Sequence, residues 1–411
     1  MALSGQRKIH VGLFDEVYRN SPGIWWRITM SRRWSVIAVA LLLQACASAA
    51  PQIEHVDVFV SGQEGYHTFR IPVIEATPDG SIVVFAEGRK YNRHDPGHHN
   101  NDIDLVMKRS TDGGRTWGAL IVSDDPGEKW SACNPTTVTD RTNGRVWLFY
   151  NRLKPGRSSR NARAGANDST AWARYTDDNG VSWSDPVDLT HTARDFHNWG
   201  SCFFGPGGAI QDRTGTLIVP LAKTPGGGDN PNTGADDDWR AYVIYSDDHG
   251  KRWKRGDLFP GPSYTNENQL VELATGQVLM DARQTRPLPH RLVATTTNNG
   301  KSWSKPQPGQ IVTTVACAIE RYTLKNFGDD RNRILWTGPK GPKRNHLVVR
   351  VSYDEAKTFT NERTISPEPA AYSDLTILRD DRVGVIWERG DTEVQYKFVT
   401  FTAFTREFLD D

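Results

Sequence analysis

The chain has 411 residues, 37% hydrophobic and 24% charged, with 36 Gly, 23 Pro and 14 Trp. It is long enough to bury a large core, and this balance excludes a coiled coil, a disordered tail and a small disulfide scaffold. The formal net charge is +1, and the first 50 residues hold more Lys and Arg than Asp and Glu, so the remainder is slightly acidic and carries no basic field that would suit nucleic acid.

In chain order, the first recognisable segment is 30–50. Met30-Ser31-Arg32-Arg33 precedes an apolar run from Trp34 to Leu43, and small residues then fill most of the stretch from Ala45 to Ala50. A charged start, a short apolar run and a small-residue end is the order of a bacterial export signal, and the run is too short for a permanent membrane anchor. Met30 is therefore expected to be the true start, with residues 1–29 an upstream extension or a disordered stretch. Two endings fit: cleavage after Ala47-Ser48-Ala49, or lipid attachment at Cys46 behind Leu43-Gln44-Ala45, a loose lipobox. Either expects a protein exported from the bacterial cell, as a periplasmic, secreted or outer-membrane lipoprotein form.

Residues 51–411 carry two interleaved repeats. In the first, a polar turn precedes an apolar, β-branched run: Asp79-Gly80 before Ile82, Asn143-Gly144 before Val146, Thr214-Gly215 before Leu217, Thr275-Gly276 before Val278, Arg331-Asn332 before Ile334, and Asp380-Asp381 before Val383. Turn residues followed by short β-branched runs predict antiparallel strands, and a spacing of roughly 50 to 70 residues is that of one supersecondary unit. The second repeat runs from Ser110 to Trp117, Thr176 to Trp183 and Ser246 to Trp253; in Thr296 to Trp303 Asn298 replaces Asp, and Ser352 to Phe359 has lost both Gly and Trp. Its chemistry is that of a turn: Asp or Asn caps its own backbone, Gly takes a positive φ, and Trp plugs the space beneath.

This pattern, S-x-D-x-G-x-x-W, is identified as the Asp-box, and five copies at this spacing resemble a β-propeller. Six strand repeats imply an all-β fold of six blades over 51–411, the ring closed by a strand around Val56 to Val60; an open sandwich is the alternative. Cys133, Cys202 and Cys317 are an odd set without close spacing, expected as small buried hydrophobes rather than a disulfide framework.

Asp-boxes also occur in propellers that are not enzymes, so function must be read elsewhere. Tyr66-His67-Thr68-Phe69-Arg70-Ile71-Pro72 contains the F-R-I-P signature, and from here the chain resembles bacterial exo-α-sialidases of the large non-viral family over nearly its whole length after the signal. The resemblance implies hydrolysis of terminal α-linked sialic acid from sialylated glycans. Three arginines would grip the sugar carboxylate, matching Arg70, Arg283 and Arg344, with Lys343 and Arg350 near the last. Guanidinium suits that role because its planar fork fits a carboxylate and keeps its proton. Tyr372, in Ala371-Tyr372-Ser373-Asp374-Leu375, matches the nucleophile, and Glu267, in Asn266-Glu267-Asn268-Gln269, its activating base. A phenol suits a sugar whose anomeric carbon bears a carboxylate, since a carboxylate nucleophile would approach against like charge.

The general acid/base is expected on a loop between the family's first two strands, here Gly88 to Gly97, with Asp95 as the choice and Asp102 as the alternative. Glu388 matches a carboxylate that orients the first arginine, Arg89 lies on the expected rim, and Asn134-Pro135 resembles a substrate-side loop. No cofactor or metal is implied; His94, His98 and His99 read as solvated rim. The stretch from Thr224 to Trp239 is expected as a mobile rim. A trans-sialidase or intramolecular trans-sialidase would use the same residues, and an inactive sialoglycan-binding propeller is the alternative from another class.

Overall fold

The structure is a computed structural model and describes residues 53–225, 238–261, 264–284 and 290–410. The expected export signal over 30–50 and the expected lipobox at Cys46, and all but the ends of the stretch from Thr224 to Trp239, lie outside the described residues.

Every one of the six turn-and-strand repeats folds as a hairpin in which the β-branched run pairs antiparallel with the strand before it. The pairs are Thr68–Ala76 with Ile82–Arg89, Ser131–Asp140 with Arg145–Leu153, and Ile210–Gln211 with Leu217–Thr224, whose far end also pairs with Ser201–Phe204. Thr265–Glu272 pairs likewise with Val278–Gln284, Ala318–Thr323 with Arg333–Pro339, and Asn361–Ile377 with Val383–Arg389. The second repeat begins where the next strand ends: Ile103–Ser110, Ser169–Thr176, Arg240–Ser246, His290–Thr296 and Asn345–Ser352 each terminate on the motif's first residue.

Hydrogen bonding gathers these strands into sheets of nine, five, four and seven strands. In the nine-stranded sheet, a parallel bridge between Ile103 and Ser131 links two sets that are antiparallel except for Gly207–Gly208, which pairs parallel with Ser131–Asp140. In the seven-stranded sheet, the 17-residue strand Asn361–Ile377 pairs with Asn345–Ser352 through its first half and with Val383–Arg389 through its second. Glu54–Val60 pairs with Phe398–Phe404, so the first and last described strands share a sheet. Ile82–Arg89 and Leu217–Thr224 are buried along their whole length because both faces carry apolar packing: Val84 clusters with Ile386 and Phe401 and Val83 with Leu148, while Val219 clusters with Trp147 and Ile218 with Met280. Cys133, Cys202 and Cys317 are free thiols buried among these strands.

The turn at Ser110 shows how local chemistry closes each hairpin. Asp112 Oδ1 accepts from Ser110 Oγ at 2.8 Å and from the Thr116 amide at 2.9 Å, and Thr116 Oγ1 donates to Oδ2 at 2.6 Å. Trp117 packs edge-on against Phe401 with ring centroids 5.5 Å apart. Gly114 sits at φ 89°, and a Cβ there would come within 2.1 Å of the Phe401 ring. Left-handed strain and overpacking combine, so Gly114→Ala should destabilise the fold by roughly 2 to 4 kcal/mol. Thermal unfolding reads this as a midpoint lowered by several degrees; an unchanged midpoint would refute it. In the fifth copy Ala356 occupies the corresponding position at φ 61°, so the left-handed backbone alone does not exclude a side chain.

Candidate active site

Four of the strands that begin hairpins carry a break in register at the same relative place. The breaks fall between Arg70 and Val73, Cys133 and Thr136, Thr265 and Asn268, and Ala370 and Ser373. A bulge re-aims the side chains beside it, and these four turn Arg70, Asn134, Glu267 and Tyr372 toward one cavity of about 500 Å³. Ile71 (φ 54°) and Asn134 (φ 52°), each directly before a proline, hold the left-handed backbone that makes two of the bulges. For a β-branched residue such as Ile71 this is a strained conformation, of the kind that concentrates at functional sites. Asn134 thus lies within a bulged strand, where the sequence reading expects a loop.

Arg89, Asp95, Arg283 and Arg344 line the same cavity. Arg283 comes from the far end of Val278–Gln284, next to the Glu267 strand. Its Nη1 donates to Glu267 Oε2 and, at 2.7 Å, to the hydroxyl of Tyr372, while that hydroxyl donates to Glu267 Oε1. Burial pushes the Tyr372 phenol well above its ordinary pKa; Arg283 opposes this, Glu267 adds to it, and Arg70 and Arg344 oppose it further. The phenol is therefore neutral at rest.

Arg70 is locked from below. Its Nε and Nη2 donate to the two oxygens of Glu388 at 2.9 and 3.0 Å, a bidentate pair, and the Ile71 and Tyr372 amides donate to the same carboxylate at 2.9 and 3.2 Å. Glu388 is fully buried, so one anion fixes both the Arg70 fork and the backbone of Tyr372.

Asp95 is 69% exposed to the cavity and accepts from Arg89 Nη1 at 3.1 Å and Arg70 Nη1 at 3.5 Å. Although the carboxylate reaches solvent, enclosure by the surrounding cavity walls pushes its pKa up; Arg89 and Arg70 outweigh that and hold it below the usual carboxylate value. Its loop follows Ile82–Arg89 and leads to Ile103–Ser110, which makes it the link between the third and fourth strands of this chain; Glu54–Val60 is paired with the C-terminal strand instead. Asp102 lies elsewhere: it is buried, 2.8 Å from Lys90 Nζ, and accepts from the Lys129 amide at 2.8 Å. His94 and His98 line the cavity, and the His94 and His99 rings lie 3.8 Å apart. Among the described residues no group of His, Cys, Asp and Glu is arranged to hold a metal ion.

Two participants escaped the sequence reading. Tyr396 stacks on Arg70 with 4.1 Å from guanidinium carbon to ring centre, and its hydroxyl accepts from Arg344 Nη1 at 2.9 Å, so it braces two arginines at once. Glu87 is fully buried, accepts from Arg89 Nη2 at 2.6 Å and receives the Asn134 amide at 3.1 Å. Tyr396 sits in a loop with no distinguishing neighbours; Glu87, two residues before Arg89 on one strand, was visible as a same-face pair.

With this geometry in place, comparison with known proteins decides the family. The BNR repeat-like domain family matches residues 78–385. The chain belongs to that family. As a BNR repeat-like protein it is similar to a sialidase of Micromonospora viridifaciens, 29% identical over 386 residues; the alignment covers 88% of this chain but 57% of that protein's length. Among solved structures, a Hadza microbial sialidase superposes with a TM-score of 0.74 at 21% identity, covering 86% of this chain and 69% of the other. The intramolecular trans-sialidase of Ruminococcus gnavus superposes at 0.70 and 17% identity, covering 86% and 98%. These likenesses make the all-β fold of this BNR repeat-like protein a β-propeller.

Proposed function

We propose that the chain is a retaining exo-α-sialidase that releases terminal α-linked sialic acid through a tyrosyl intermediate. The observation that carries this reading is one cavity in which Tyr372 donates to Glu267 while Arg70, Arg283 and Arg344 surround the pair. The three guanidiniums take the sugar carboxylate, and Arg89 and Asn134 complete the wall. Tyr372 Oη attacks the anomeric carbon as its proton passes to Glu267, the bond to the leaving oxygen breaks, and Asp95 protonates that oxygen. Water, deprotonated by Asp95, then cleaves the tyrosyl bond, and Glu267 gives its proton back to the departing Tyr372 oxygen.

An acid must hold a proton when it is needed, and in the empty cavity Arg70 and Arg89 favour the Asp95 carboxylate. A substrate carboxylate bound to Arg70 offsets that cation's pull on Asp95, which raises the proton affinity of Asp95. Substrate binding thereby loads the acid. Asp95→Ala should accordingly cut turnover of natural sialyl-galactosides about a hundredfold or more, and that of activated aryl sialosides far less, because their leaving oxygen needs little protonation. Equal loss on both substrates, or the selective loss in Asp102→Ala instead, would move the role off Asp95.

Turnover of a fluorogenic sialoside tests the activity itself, and its absence would favour the inactive sialoglycan binder. Because the fold also matches an intramolecular trans-sialidase, product analysis is part of the assay: free sialic acid is expected, and an anhydro sugar would reassign the resolving step. We further read the four sheets as six blades. Dividing the nine-stranded sheet at the Ile103–Ser131 bridge and the seven-stranded one midway along Asn361–Ile377 leaves six sets, antiparallel but for the short strand Gly207–Gly208, with Asp-box turns in five. Export, with the protein cleaved after Ala49 or lipidated at Cys46, belongs to the same proposal, and the intact mass of the mature protein separates the two.

A further inference from the structure

One step along their strands from the catalytic pair, a second pair meets. Tyr372 and Asp374 are two residues apart on one strand, Glu267 and Gln269 two apart on another, and Gln269 Nε2 donates to Asp374 Oδ1 at 2.9 Å. Asp374 also accepts from the Gly208 amide at 3.2 Å and, through Oδ2, from the Ile74 amide at 3.1 Å. The other end of Gln269 accepts from the Ile319 amide at 3.1 Å, which fixes its orientation. Two buried side chains, 1% and 3% exposed, thus tie together the strand of Tyr372, the strand of Glu267, the strand of Arg70 and two further strands. Gly207 is shaped around them: it sits at φ 119°, and a Cβ there would fall 1.7 Å from Gln269 Nε2.

A stabilising core would not ordinarily be built this way. Among the described residues no Lys, Arg or His comes within salt-bridge distance of Asp374, and the Gln269, Gly208 and Ile74 donors that meet it are neutral N–H groups. Burial accordingly holds its pKa up, to about 6, against the pull of those donors. A buried carboxylate satisfied only by neutral donors is costly compared with an apolar contact of the same volume. What the arrangement supplies is direction: every donor comes from a different strand, and each bond is set by its geometry rather than by contact area.

We propose that Asp374 and Gln269 are positioning residues that set the separation of the Tyr372 hydroxyl from Glu267 and so govern formation of the tyrosyl bond. The inference rests on the roles proposed for Tyr372 and Glu267. Neither Asp374 nor Gln269 lines the cavity, so they act through the strands. Asp374→Asn keeps the shape but turns one acceptor oxygen into an amide that faces an N–H donor. Gln269→Met keeps the volume and deletes all three polar contacts of the side chain, to Asp374, to the Ile319 amide and, at 3.4 Å, to the Pro206 carbonyl.

The test compares three readouts in the full chain: the rate at which a 3-fluorosialosyl fluoride labels Tyr372, the affinity of a 2,3-dehydro sialic acid inhibitor, and the thermal midpoint. A misplacement near 1 Å can cost about a hundredfold in a bond-forming step. Labelling should therefore slow by about ten- to a hundredfold in each variant, while inhibitor affinity, which reports the arginines, stays within about threefold. Labelling within about twofold of the unsubstituted protein in a folded variant overturns the proposal, as does a parallel fall in labelling and affinity. If neither variant folds, the pair is a stability element and the proposal is likewise overturned. Failure of the unsubstituted protein to label on Tyr372 would instead count against the proposed function, so the two failures are distinct.

Discussion

Tyr372→Phe should lower sialoside turnover at least a thousandfold, about 4 kcal/mol of transition-state stabilisation, while leaving the fold and its thermal midpoint nearly unchanged. The ring is buried in an apolar cluster with Val315, Ile319 and Trp336, and the substitution keeps that packing. Only Oη is lost, and with it the bond to Glu267 and the contact from Arg283. Glu267 remains paired with Arg283, so no buried charge is stranded. A general-base route in which Glu267 activates water directly could persist, but it would have to bring a hydroxide toward a carbon that bears a carboxylate. A folded Tyr372→Phe protein with undiminished turnover would remove the nucleophile from the account.

Arg283 should be the most sensitive of the three arginines, because in the proposed mechanism it would serve binding and chemistry together. Its Nη1 already holds Glu267 and Tyr372, and the residue lines the cavity that would receive the substrate carboxylate. Arg283→Lys keeps the charge and loses the fork. It should weaken a 2,3-dehydro sialic acid inhibitor nearly as much as Arg283→Ala, by about ten- to a hundredfold, or roughly 1.5 to 3 kcal/mol. In Arg283→Ala, Glu267 also loses its cation, so kcat should fall further than affinity does. Calorimetry of both variants, with the inhibitor and with its methyl ester, checks this. Lys binding like Arg, or the ester binding as tightly as the acid, would mean that carboxylate recognition lies elsewhere.

How much of this was legible from sequence depends on the range of the interaction. The six hairpins were readable because turn residues and β-branched runs act over a few positions, and each run does pair with the strand before it. The Asp112 and Asp178 turns were readable for the same reason, since their bonds reach only four residues. Arg70, Glu267, Arg283, Arg344 and Tyr372 were found through motifs, and the structure brings them into one cavity although they are spread over most of the described chain. Tyr396 was not found, because its meaning depends on Arg70, more than 300 residues away, and on Arg344. Asp374 and Gln269 stood in quoted motifs without a role, since a bond across 105 residues leaves no local pattern. The bulges were hidden too. Ile71 before Pro72 and Asn134 before Pro135 would have suggested extended backbone, and both take positive φ instead.

The central claim is that Tyr372 forms a covalent bond to the sugar. Incubating the protein with a 3-fluorosialosyl fluoride, digesting it and mapping the adduct by mass spectrometry tests that directly. The account expects a single sialosyl label on the peptide containing Tyr372, released slowly as free sugar and absent from Tyr372→Phe. A label on another side chain, or rapid turnover of an ordinary sialoside with first release of the inverted anomer and no label at all, would contradict it.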